Sequence, residues 1–69
     1  MSEFPQRLRA AREKAGYSQY DLAQLIPCPQ TRIAMWEMDT RNINHKDLAR
    51  CCRVLDVSAD YLLGLEKGE

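Results

Sequence analysis

Sixty-nine residues, of which ten are Lys or Arg and ten are Asp or Glu, make a chain with no formal net charge and a pI near 6.6. A chain this short forms one small domain, burying roughly 60% of its unfolded surface, which leaves little room for a substrate cavity. The neutral balance also argues against a uniformly basic nucleic-acid binder, whose pI exceeds about 9. Charge is nevertheless uneven: residues 1–16 carry Arg7, Arg9, Arg12 and Lys14 against Glu3 and Glu13, a net +2, while 17–41 and 42–69 each carry −1. An anion-binding face is therefore expected to be local.

The elements follow a repeated plan: a cap, an apolar stripe at i, i+3, i+4 spacing, and a breaker. Helix one is expected to begin near Pro5, with Phe4, Leu8, Ala11 and Ala15 inward and Gly16 ending it in a left-handed conformation. Ser18 caps helix two, with Asp21 as its reciprocal partner three residues on. The second stripe is Leu22, Ala23, Leu25 and Ile26, and Pro27 stops it. Helix three is expected from about Pro29 to Glu37 or Met38, with Ile33 and Trp36 inward and Pro29 as its first residue. Asn44 caps a fourth helix whose stripe is Leu48, Cys51, Cys52 and Leu55. Ser58 caps a short last helix holding Tyr61, Leu62 and Leu65, with Gly64 near its end. No stretch alternates with period two, so a compact five-helix, all-α fold over residues 1–69 is expected.

Helices two and three are separated by only about three residues, too few for an antiparallel pair, so they cross steeply as a helix-turn-helix over residues 18–38. The second helix of such a pair inserts its N-terminal residues into the major groove while its other face packs on the domain. In CPQTRIAMWE, residues 28–37, Ile33 and Trp36 take the packing face, and Gln30 and Thr31 stand at the leading edge. Gln can bond adenine N6 and N7 with both ends of its amide, and the Thr methyl suits a thymine methyl.

The run SQYDLAQLIPCPQTRIAMWE resembles the lambda-repressor-like helix-turn-helix family, the XRE type that includes phage repressors and Cro proteins. Its pattern is Ser-Gln-x-x-Leu-Ala-x-x-Leu-Gly-Val-Ser followed by x-x-x-Ile-Ser-x-Trp-Glu. RLRAAREKAG at 7–16 resembles the family's first helix and VLDVSADYLLG at 54–64 its last, so the resemblance covers nearly the whole chain. It implies that Gln30, Thr31, Ala34 and Met35 face bases, and that Gln19 bonds a phosphate and orients Gln30. By the same resemblance Arg32 lies beside the DNA backbone, and the Thr40–Asn44 loop grips phosphate through Arg41, Asn42 and Asn44. Arg12 and Glu37 match a buried structural ion pair. The chain departs from the pattern at Pro27, which replaces the turn glycine, at Cys28 and Pro29, which replace Val-Ser, at Asp39 and at Ile43. With Glu37 and Asp39 near the phosphate-facing loop, binding weaker or more selective than that of a basic relative is expected.

The function expected is sequence-specific DNA binding as a transcriptional regulator of bacterial or phage type. One such domain reads few base pairs, so a homodimer with recognition helices about 34 Å apart is expected. Tyr61, Leu63 and Leu65 are its candidate interface, because the last helix is more apolar than a small core requires. The competing reading is a protein-interaction module on the same fold that does not bind DNA, which the neutral charge favours. Cys28, His45, Cys51 and Cys52 do not match zinc-ligand spacing, since two are adjacent on one helix, and no metal or other cofactor is expected. Nothing in the chain assembles a catalytic constellation, so no enzyme or small-molecule substrate is expected. Three cysteines, an odd number, do not read as a disulfide framework, which favours a cytoplasmic location. Glu3, Pro5 and Arg7 break any secretion leader, and Asp56, Ser58 and Asp60 break the Val54–Leu65 run, so no membrane span is expected.

Overall fold

The structure is a computed structural model in which residues 3–38 and 43–65 are described. Five helices follow in chain order: α1 (Phe4–Lys14), α2 (Gln19–Leu25), α3 (Gln30–Trp36), α4 (His45–Leu55) and α5 (Ala59–Leu63). Their starts follow local chemistry. Ser18 Oγ accepts from the Asp21 N–H while Asp21 accepts from the Ser18 N–H, both at 3.0 Å, a reciprocal cap. Asn44 Oδ1 accepts from the Asp47 N–H at 2.8 Å, and Ser58 Oγ from the Tyr61 N–H at 3.0 Å. Each such cap contributes about 1 kcal/mol.

Between α1 and α2, Gly16 turns the chain with φ +85°, and Gly64 ends α5 with φ +73°. At the end of α4 the left-handed position is filled by Asp56, φ 57°, a residue type that tolerates this region. The α2–α3 turn works differently. Pro27 stands where the family places glycine, and no residue of this turn has positive φ. The Cys28 N–H instead closes the end of α2 by donating to the Ala23 carbonyl at 2.8 Å.

All five helices contribute to one core. Phe4 and Leu8 of α1, Leu22 of α2, Ile26 just after it, Ile33 and Trp36 of α3, Cys51 of α4 and Leu62 of α5 are completely or almost completely buried. α2 packs chiefly on α3, while α5 bridges α1 and α4. Burial of each large apolar side chain contributes roughly 1.5–3 kcal/mol. Arg7 adds a second tie between α1 and α5: its guanidinium lies 4.7 Å from the Tyr61 ring centroid, and Nη1 donates to the Tyr61 carbonyl at 3.0 Å. No described helix is long and apolar enough to cross a membrane.

Several expectations differ in detail. Helix one starts at Phe4, one residue early. Pro29 is the N-cap of α3, with extended ψ of 144°, and the first helical residue is Gln30. Ala15 and Leu25 are exposed, Leu25 by 50%. Leu22, Ala23 and Ile26 define the inward arc of their helix, and Leu25 lies roughly 100° around from its centre. Leu65 follows the left-handed Gly64, which ends the helix before Leu65 can join it.

Burial also governs the thiols. Desolvation raises Cys28 and Cys52 above the ordinary thiol value and pushes Cys51 up to about 12. Cys51 therefore keeps its proton in the folded state at pH values where the unfolded thiol ionises. Its contribution to stability is complete below pH 9.0, the ordinary value, and is lost as pH rises from there toward about 12. At pH 8 an alkylating reagent, which needs the thiolate, is expected to leave Cys51 unmodified in the native protein and to modify it readily in denaturant. Equal rates in both states, read by mass spectrometry, would contradict this.

Candidate nucleic-acid interface

Helix α3 has two unlike faces. Ile33 and Trp36 have no exposed surface. Gln30, Thr31, Arg32 and Met35 are exposed, and Ala34 is half-buried. The burial period is that of a helix whose back is fixed to the core. Its leading edge carries an amide, a hydroxyl with a methyl group, and a guanidinium, all on exposed residues. Met38, just beyond α3, is 82% exposed and extends the apolar part of this surface.

Behind the leading edge, α3 is tied to α1 and α2 by a network centred on Glu37. Arg12 Nε donates to Glu37 Oε2 at 2.6 Å, and Nη2 to Oε1 at 3.2 Å. The third arm, Nη1, donates to the Tyr17 carbonyl at 2.7 Å. Both side chains are sealed, 9% and 5% exposed. The hydrogen bond to Glu37 holds the Arg12 guanidinium above its ordinary pKa despite the opposing cost of burial. Gln19 joins the same carboxylate: its Nε2 donates to Glu37 Oε1 at 3.1 Å. The resemblance had implied that Gln19 orients Gln30, but its amide is bonded to Glu37 instead. Gln19 remains half-buried at the start of α2, at the edge of the α3 surface.

The N-terminus of α4 borders the other side of α3. Asn44 shares a cleft with Arg32, Met35 and Trp36, and its side chain caps α4. Thr40, Arg41 and Asn42, the remainder of the expected phosphate-gripping loop, lie outside the described residues, as does Asp39. Among the candidate dimer residues, Leu65 is exposed, while Tyr61 and Leu63 are half-buried and pack on the core. Among the described residues, no three His, Cys, Asp or Glu side chains lie together in a way that could hold a metal ion. Asp47, buried at the foot of the cleft, was missed by sequence reasoning. The Asn44-x-x-Asp47 spacing was the available signal, since it places Asp47 one turn inside a capped helix.

A capped α2, a short turn, and an α3 buried on one side and polar at its leading edge define a helix-turn-helix domain. The Helix-turn-helix family model matches residues 8–62, and the chain belongs to this family, in its lambda-repressor-like, XRE-type branch. It is similar to the HTH-type transcriptional regulator ImmR of Bacillus subtilis (strain 168), 34% identical over 61 residues, which cover 88% of this chain and 48% of that protein. The chain thus spans about half the length of that curated relative. It is also similar to SinR, the master regulator for biofilm formation, in a crystal structure in complex with DNA. That likeness has a TM-score of 0.80 and 30% identity, covering 87% of this chain and 97% of that one.

Proposed function

We propose that this chain is the DNA-binding unit of a transcriptional regulator, with α3 entering the major groove. The observation that carries the reading is the division of α3: Ile33 and Trp36 wholly buried, Gln30, Thr31, Arg32 and Met35 outward. The similarity to a SinR structure in complex with DNA, and to ImmR, a transcriptional regulator, supports it. In this reading Gln30, Thr31, Ala34 and Met35 meet base edges. Gln19, Arg32 and Asn44 meet phosphates on either side, together with Arg41 and Asn42. Gln19 Nε2 carries two protons, so the bond to Glu37 leaves one for a phosphate oxygen.

The protein acts without catalysis, as a homodimer in the cytoplasm, with residues 1–69 forming one domain. Tyr61, Leu63 and Leu65 line the pairing surface, where Leu65 offers 65% of its area. Recognition helices about 34 Å apart would then meet half-sites one helical turn apart.

Duplex binding measured across a salt series tests the reading. Affinity should fall steeply, with a slope of about −0.9 per phosphate neutralised. A flat response, or no binding at low salt, would instead favour a surface that binds protein. Within a site selected from random duplex, Gln30→Ala should relax preference at one base position and cost about 1–3 kcal/mol there. An unchanged preference would remove Gln30 from the base-reading set.

A further inference from the structure

The cleft between α3 and the start of α4, about 430 Å³, is lined by Arg32, Met35, Trp36, Asn44 and Asp47. Its walls are rich in donors. Asn44, whose Oδ1 is used in accepting from the Asp47 N–H, keeps its side-chain amide nitrogen as a donor, and Arg32 contributes an exposed guanidinium. A donor-rich cleft beside a recognition helix attracts an anion. This one already contains an anion. The Asp47 side chain is 10% exposed, and its nearest cationic partner among the described residues is Arg50, whose Nη1 is 3.7 Å away. A carboxylate can be buried with so weak an ion pair because it sits in the first turn of α4, where the helix dipole favours negative charge.

We infer that Asp47 is an affinity-setting residue: a resident carboxylate that repels a DNA phosphate brought to the α3–α4 cleft and holds DNA binding below what the rest of the surface would give. The inference rests on the DNA-binding reading above. A phosphate oxygen brought to Arg32 and Asn44 approaches the Asp47 charge, which lines the same cleft. Removing the charge while keeping the shape relieves the repulsion.

Asp47→Asn makes that change. Asp60→Asn, on the exposed first turn of α5, makes the same change in net charge on a helix that packs against α1 and α4. Binding of a random-sequence duplex is measured for wild type, Asp47→Asn and Asp60→Asn, each confirmed folded by its far-ultraviolet circular dichroism. Asp47→Asn should bind about five- to tenfold more tightly than Asp60→Asn at low salt, the scale of one charge a few ångströms away in a polar setting. That advantage should shrink between about 50 mM and about 300 mM salt as screening sets in. Binding by Asp47→Asn equal to or weaker than that of Asp60→Asn, with wild type binding, overturns the inference alone. So does failure of Asp47→Asn to fold, because Asp47 would then be structural. No binding by any of the three overturns the DNA-binding reading, and this inference with it.

Discussion

Arg12→Met is expected to cost about 3–5 kcal/mol of folding stability, because it leaves the Glu37 carboxylate buried without its counter-charge. Glu37 is 5% exposed at its side chain and takes both of its charged hydrogen bonds from Arg12, so water cannot substitute. The same change frees the Tyr17 carbonyl and leaves Gln19 as the remaining donor to Glu37. A chain of this size has only about 3–10 kcal/mol of net stability, so a large fraction of the variant would be unfolded at room temperature. The double variant Arg12→Met with Glu37→Leu is expected to recover much of the loss, since an apolar pair of similar volume needs no compensation. Urea denaturation of the three proteins decides this. A single-variant loss below about 1 kcal/mol would mean that the pair behaves as a surface ion pair.

The second large effect is at Trp36. Trp36→Ala should cost about 3–5 kcal/mol through lost burial and the cavity left between α3 and the core. The functional consequence differs from that at Arg12. Trp36 and Ile33 are the two residues of α3 that are wholly buried, so losing one frees the helix to roll and takes its leading edge out of register. At temperatures where enough of the variant stays folded to assay, DNA affinity should fall by more than the folded fraction accounts for. Trp36→Phe, which keeps an aromatic ring at the same place, should retain more of both properties. Equal affinity per folded molecule in Trp36→Ala would show that the α3 angle is set elsewhere.

The sequence was most readable where one residue type has one physical use. Ser18, Asn44 and Ser58 announced three helix starts, and Gly16 and Gly64 announced left-handed ends. The buried faces of α1 and α3 followed from period. Reading failed where the period was ambiguous over a short helix: Leu25 belonged to a stripe on paper, yet falls on the far side of α2. The candidate interface was legible along α3, because Gln30 and Thr31 precede two buried apolar residues on one short helix. It was illegible wherever a side chain has several partners in reach. Nothing in the sequence says that Gln19 turns to Glu37, that Arg7 stacks on Tyr61, or that Asp47 lies inside the cleft rather than in solvent. Those outcomes depend on which helices meet, and helix packing is settled by the whole core.

The central claim is that the leading edge of α3 is the surface that meets DNA. Backbone and side-chain amide resonances of the labelled protein, followed during titration with duplex DNA at low salt, test it most directly. The largest changes should fall on Gln30, Thr31, Arg32 and Met35, with Gln19 and Asn44 beside them and the outer face of α5 unmoved. Changes confined to α5 or to the exposed side of α2, with α3 silent, would contradict it.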